Sequence, residues 1–314
     1  MSDLIKKQHF VWRAYLRAWA DKEMIWAYLK TENKVIKSNL MGVGQQRYFY
    51  ELENFTVNEE TFLRKFIERN SHSSLNGLNS DFLFLFTAHY RLRELLISSR
   101  LSTDEKLVIE KQINGIEKNQ MELAHGKIEN LGILLIESVK SADFSFLDDD
   151  DNFLGMMMFL CFQYFRTKKM KASILNSADK FRGMDVRKLW NVISFTMSTG
   201  LARNLSLDPS LRMTFYKNNT ETDFLTCDQP IFNIVGNEID EEGYSKSLEL
   251  YYPLSPKISL LIHFRTEQIQ KYTVVEIGLP LVKHFNDKVV EVAENMVFSD
   301  KKENLDCFAI ANME

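Results

Sequence analysis

Apolar side chains recur every three or four residues along much of the first two-thirds of the chain, a period that belongs to helices rather than strands. Phe62, Leu63, Phe66 and Ile67 share one face behind Thr56 and Asn58, residue types that accept hydrogen bonds from the free N–H groups of a first helical turn. The run DFLFLFTAHYRLRELLIS, Asp81 to Ser98, is apolar on more than one side and reads as a buried helix. Ser102 is followed three residues on by Glu105, a capping box, and the helix it opens extends towards Val139 with Gly115 and Gly126 as points of breakage. The acidic run Asp148–Asp151 suits the positive end of a helix dipole and leads into a helix over Phe153–Phe165; another is read over Val186–Thr199. Near the start, Val11, Tyr15, Ala18 and Trp19 share a helical face. Ile25, Ala27 and Leu29 then alternate with Trp26 and Tyr28, the period of a strand over Met24–Lys30.

After about Leu211 the pattern changes. Short runs with β character, Arg212–Tyr216, Asp223–Thr226, Leu248–Tyr252, Ser259–His263 and Tyr272–Ile277, are separated by Asn, Gly, Pro and charged turns. From Leu279 to Phe298 the helical period returns through Leu281, Phe285, Val289, Val292 and Met296. The expected class is α+β: residues 1–314 form one composite domain, mainly helical over 1–210, with a small mixed or antiparallel sheet and a closing helix over 211–314.

Composition narrows the function classes. Hydrophobic residues make up 45% and charged residues 26% of the 314, so the chain can bury a core and is not a disordered tract. The net charge of −4 excludes a uniformly basic nucleic-acid coat, so any phosphate contact must come from a local patch. Cys161, Cys227 and Cys307 are far apart and form no CxxC, which suits a reducing compartment and offers no zinc site. The charged opening MSDLIKKQHF lacks the apolar core of a secretion signal, and the longest apolar runs are too short to span a bilayer. A soluble cytoplasmic protein without membrane association is therefore expected. P-loop, dinucleotide-binding, zinc-protease, serine-hydrolase and kinase signatures are all missing.

Three places carry polar residues in apolar or turn-rich settings. The first is Gln8-His9-Phe10-Val11 with Arg13, Tyr15 and Arg17, where His9 reads either as a general acid or base or as a packed imidazole among aromatics. The second is Gln163-Tyr164-Phe165-Arg166-Thr167-Lys168-Lys169. Gln163 and Arg166 share a helical face and can grip a phosphate or carboxylate, while Lys168, Lys169, Lys171, Arg182, Arg187 and Lys188 supply a positive patch; the bland alternative is a solvated helix end. The third is Thr226-Cys227-Asp228-Gln229-Pro230, followed by Pro253-Leu254-Ser255-Pro256. There Asp228 sits at a strand end, either as a metal ligand or acid–base group or as the cap of its own turn, and Ser255 lies in a second stiff turn.

The order of these motifs resembles a family of bacterial proteins, domain-of-unknown-function family 4238. Its members open with His-His-Tyr-Val-Pro-x-x-Tyr-Leu, carry a Gln-x-x-Arg-Thr helix, and carry Thr-Ser-Asp-x-Pro before Pro-Leu-Ser-Pro. The resemblance runs from about His9 to Ser299. His9, Tyr15 and Leu16 match the opening, with Gln8 in place of the first His and Arg13 in the region where Pro is usual. Gln163, Arg166 and Thr167 match the second motif, and Thr226, Asp228 and Pro230 the third, with Cys227 in place of Ser. Pro253 to Pro256 match the last. The resemblance implies a shared fold and a role for His9, Gln163, Arg166 and Asp228 beyond solvation. It brings no activity with it, and its association with variable, defence-related gene regions is what suggests a toxin-like or antiviral setting.

Two functions follow as expectations. In the first the protein hydrolyses phosphodiesters of a nucleic acid. His9, Gln163, Arg166 and Asp228 are then catalytic, Arg13, Thr167, Lys168, Lys169 and Ser255 bind substrate, and Asp228 holds Mg2+ if a metal takes part. In the second the same residues form a buried polar network in a non-catalytic binding or regulatory subunit. The aromatics Trp12, Trp19, Tyr48 and Tyr50 then present an interface to a protein partner.

Overall fold

The computed structural model describes residues 4–176, 184–236, 247–267 and 270–311 of the chain. A short strand, β1 (Lys7–His9), is followed by one helical turn, α1 (Arg13–Leu16), and a 3-10 turn to Trp19. A hairpin of β2 (Met24–Leu29) and β3 (Lys34–Asn39) comes next, then β4 (Gln45–Arg47), which pairs antiparallel with β1. The hairpin turn places Asn33 at φ 46°, where a short amide side chain is tolerated, and the Tyr28 hydroxyl donates to Asn33 Oδ1 at 2.9 Å.

The helical part follows: α2 (Val57–Asn70), α3 (Asn76–Ser98), α4 (Thr103–Glu129), α5 (Ile133–Ser138), α6 (Asp150–Phe165), α7 (Lys168–Asn176) and α8 (Val186–Leu207). Thr56 with Glu59 and Ser102 with Glu105 form reciprocal capping boxes, and Asp149 caps α6. The C-terminal part adds β5 (Leu211–Asn218), β6 (Thr226–Cys227), β7 (Phe232–Asn233), β8 (Leu250–Pro253), β9 (Ile258–Phe264), β10 (Tyr272–Ile277), α9 (Leu279–Val292), β11 (Met296–Ser299) and α10 (Glu303–Ala311). A five-stranded mixed sheet runs β10-β5-β9-β8-β7, with only β10 and β5 parallel. A second, antiparallel sheet runs β3-β2-β11-β6 and so joins the N-terminal hairpin to the C-terminal strands. The class is α+β, with the helices concentrated in the N-terminal part and the main core drawn from α6, α8, the five-stranded sheet and the first strands.

Some sequence expectations need correction. Helix α4 runs through Gly115 and Gly126, because both glycines face open space while Ile113, Met121 and His125 hold the other side in the core. The α-helix gives way instead to a 3-10 turn at Asn130–Gly132. Helix α3 buries only one face, through Leu83, Phe86 and His89, while Phe84 (63% exposed), Leu95 (67%) and Ile97 (79%) lie outside, since its neighbours α2, α4 and α8 leave its far side uncovered. Helix α9 stops at Val292, and Met296 begins a strand paired with both β2 and β6. The expected interface aromatics are not exposed: Trp19 and Tyr50 are buried, and Trp12 and Tyr48 are half-buried. The Trp19 indole N–H donates to the Phe224 carbonyl at 2.7 Å.

At Gly132 a methyl group would lie 2.6 Å from the ring of Phe159 on α6. Gly132→Ala should therefore destabilise the fold by about 1–3 kcal/mol through overpacking, measured as a lower urea midpoint at unchanged slope. An unaltered midpoint would mean that the ring moves aside freely.

Candidate functional site

Helix α6 is apolar almost all round because it packs against α8, α4 and the turns on either side of it, and Gln163, on its last turn, and Arg166, its C-cap, are polar and buried at its C-terminal end. Both reach the N-terminal segment. Gln163 Nε2 donates to the Phe10 carbonyl at 3.0 Å, Arg166 Nε donates to the same oxygen at 3.1 Å, and Arg166 Nη2 donates to the His9 carbonyl at 2.8 Å. Arg166 is only 3% exposed and pairs through Nη1 with Glu129 of α4 at 2.7 Å. Burial opposes its charge, but Tyr50, Glu129 and Glu122 around it outweigh burial and hold it cationic. The amide and guanidinium read as a phosphate grip thus hold two main-chain carbonyls.

Helix α4 supplies a constellation that the sequence reading missed. Glu122, His125 and Glu129 are spaced by three and four residues, so they share the buried face. Their only sequence signal was polarity at the inward positions of an amphipathic helix. Glu122 Oε1 accepts the His9 backbone N–H at 3.3 Å, and burial raises its carboxyl to about 7, against the pull of Arg166. Burial, then Arg166, holds His125 neutral, with its ring 4.6 Å from that of Tyr50. Burial, then Arg166 and Arg13, lowers His9 to about 4, so its imidazole is neutral at pH 7. His9 Nε2, Glu122 Oε2, His125 Nδ1 and Gln163 Oε1 are buried and find no hydrogen-bond partner among the described residues. Gln8, where the family pattern has a His, bridges main chain: it accepts from Tyr50 N–H at 2.7 Å and donates to the Lys118 carbonyl.

The remaining motifs lock into the same framework. The Tyr15 hydroxyl lies 2.5 Å from Thr226 Oγ1 and donates to the Pro253 carbonyl at 2.8 Å, which joins the first, third and last motifs. Thr167 Oγ1 donates to Gln229 Oε1. Asp228 does not join His9, Gln163 and Arg166. Its carboxylate accepts the backbone N–H groups of Glu294 (2.8 Å), Asn295 (2.8 Å) and Met296 (3.0 Å), and this capture is what turns the chain out of α9 into β11. Burial pushes its carboxyl up, and the three N–H bonds pull it down. Ser255 Oγ accepts from the N–H groups of Lys257 and Ile258 in its own turn, and Lys169 donates to the Val292 carbonyl at 2.7 Å. Arg13 Nη1 lies against Met41 Sδ. Among the described residues no three His, Cys, Asp or Glu side chains come together to hold a metal ion.

The basic patch does converge. An open cleft of about 630 Å3 is lined by Lys168 and Lys171 of α7, Arg187 and Lys188 of α8, and Tyr48 and Phe49 after β4. The Lys168 ammonium sits 5.1 Å from the Phe10 ring and that of Lys171 5.1 Å from the Phe49 ring, so the clamp that fixes Phe10 also places the first lysine. Burial lowers Lys171, and Glu53 acts against that. Arg182 lies outside the described residues.

Four motifs in this order, tied into one hydrogen-bonded framework in an α+β fold, define a class by shape rather than by an active site. The chain belongs to the family described as protein of unknown function (DUF4238), whose model matches residues 7–303. No curated protein matches the chain, and neither does any solved structure. No helix among the described residues is long and apolar enough to cross a membrane.

Arg166→Ala should cost about 3–5 kcal/mol in urea unfolding, because Glu129 and two carbonyls lose their buried partner. A loss below 1 kcal/mol would show that the clamp does not carry the fold. The second prediction concerns pH. The folded protein keeps a proton on Glu122 up to about pH 7, whereas the unfolded chain releases it near 4.5. The stabilising contribution of this group is therefore complete below about pH 4.5 and declines as pH rises towards 7. Glu122→Gln removes that decline, so the melting temperature of the variant should gain on the wild type steadily between pH 4.5 and 7. Parallel curves would show that the carboxyl is not held protonated.

Proposed function

We propose that this protein binds the phosphate backbone of a nucleic acid in the cleft between β4, α7 and α8, and that it serves as a binding module in nucleic-acid processing. One observation carries this reading: Lys168, Lys171, Arg187 and Lys188 line a single cleft in a chain whose net charge is −4. With Arg93 these side chains make five cations against the three carboxylates of the same lining, Glu51, Glu53 and Glu117, so the cleft has a cationic excess that attracts a phosphate. The Gln163–Arg166 clamp supports it as framework, since it fixes the N-terminal segment against which Lys168 and Lys171 rest.

A second reading, phosphodiester hydrolysis by a toxin-like or antiviral effector, is favoured by one feature. His9 is a neutral imidazole with a buried, unpartnered Nε2 beside Arg166, so it is in the protonation state of a base, and a substrate would have to open the site to reach it. In this reading Arg166 acts from behind the His9 carbonyl, and Mg2+, if required, is brought with the substrate phosphates.

Binding is measured by fluorescence anisotropy of labelled oligonucleotides across a salt series. The Arg187→Ala/Lys188→Ala double variant alters side chains at the mouth of the cleft; Arg187 is 70% exposed and its ion pair with Asp185, at 2.9 Å, is a surface one that a phosphate would have to compete with, so the fold should be preserved. It should weaken binding about ten-fold or more at 100 mM salt and make the slope of log K against log salt shallower by about 1.5–2. Binding that is absent, or indifferent to salt and to these residues, overturns the proposal. Incubation of the same strands with and without Mg2+ separates the two readings. Intact strands support the module, and products that vanish in His9→Gln put hydrolysis in its place.

A further inference from the structure

Aromatic rings stand among the cations of the cleft, and they bear on which form of nucleic acid it takes. Tyr48 has a left-handed backbone (φ 49°), a conformation that a bulky aromatic residue adopts only when its surroundings impose it. Its neighbours do so: Tyr48 N–H donates to the Lys6 carbonyl at 3.0 Å, and the Tyr48 carbonyl accepts from Glu51 N–H at 3.2 Å. The result is a half-buried ring on the cleft wall, with the Lys118 ammonium 4.8 Å and the Arg47 guanidinium 5.2 Å from its centroid. Phe49, next along, is buried against Phe10 and Tyr50 and carries Lys171 at 5.1 Å. Of the two rings in the lining, Phe49 pairs with a cation of the cleft, Lys171, whereas Tyr48 is flanked by Arg47 and Lys118 from outside it.

We infer that the cleft receives an unpaired strand, with a base stacked at Tyr48 and the flanking phosphates held by Lys168, Lys171, Arg187 and Lys188; this rests on the phosphate-binding reading above. A duplex hides its base faces inside the stack and offers a ring nothing to stack on, whereas an unpaired base has a free face of any sequence. Size agrees, since about 630 Å3 is the volume of a pocket for a small organic ligand and so for one or two nucleotides. Charge agrees as well. Glu51, Glu53 and Glu117 line the same cleft, where they repel the dense phosphate array of a duplex more than the one or two phosphates of a threaded strand.

The test uses the full chain with a fluorescein-labelled ten-nucleotide strand, as DNA and as RNA, and the blunt DNA duplex of the same sequence, all at 100 mM salt. The unpaired strand should bind at least about ten-fold more tightly than the duplex. Tyr48→Gly removes the ring and suits φ 49°, so its melting temperature should hold or rise while strand affinity falls about ten-fold and duplex affinity stays where it was. Tyr48→Phe keeps the stacking face and should bind as the wild type does. Equal affinity for strand and duplex, unmoved by Tyr48→Gly, overturns this inference and leaves phosphate binding standing. Failure of both to bind overturns the two together.

Discussion

The carbonyl oxygen of Phe10 accepts two hydrogen bonds from one turn of α6, and the cation that makes one of them is buried. A buried guanidinium is costly unless it is paired and hydrogen-bonded, and here the His9 and Phe10 carbonyls and the Glu129 carboxylate give each of its three nitrogens a partner. The pairing forces three remote elements, the N-terminal strand, α4 and α6, into one arrangement. Glu122 and Gln8 add to it from either side, one by accepting the His9 N–H and the other by bridging Tyr50 to Lys118. The framework is satisfied around Arg166, and its unpartnered atoms, on His9, Glu122, His125 and Gln163, lie at its margin.

The other motif residues work by the same physics. Tyr15 ties Thr226 to Pro253, Thr167 ties α7 to Gln229, and Asp228 collects three backbone N–H groups at the turn from α9 to β11. Tyr15 and Asp228 satisfy main-chain groups inside the protein where water is excluded, and Tyr15 and Thr167 also join side chain to side chain. The cleft is lined by different residues. The lysines and the arginine on α7 and α8 form no motif, yet they are the ones that face an open cleft with Tyr48.

The helical part was legible in detail because capping boxes and period-3.6 faces are local signals, as at Thr56–Glu59, Ser102–Glu105 and Asp149. The strand Tyr272–Ile277 and the hairpin strand starting at Met24 were legible for the same reason. The end of α9 was not, because its apolar spacing continues to Met296 and only the distant Asp228 carboxylate and the pairing with β2 and β6 turn those residues into a strand. Of the candidate site, the pairing of Gln163 and Arg166 on one helical face and the cationic stretch after them were readable. Their partners were not: a main-chain carbonyl has no letter in the sequence, and Glu122 and Glu129 look like any charged residues on a long helix.

Sequence alone decided the α+β class, the positions of most helices, the family and the residue types able to carry charge inside the fold, since propensity, capping and hydrophobic period act over a few neighbouring residues. Tertiary structure decided what those charges face. Arg166 grips backbone rather than ligand, and Asp228 is spent on a turn. Five cations from α3, α7 and α8 share one cleft with three carboxylates. Electrostatic and hydrogen-bonding roles depend on distance and burial, and both are set by contacts between segments more than a hundred residues apart.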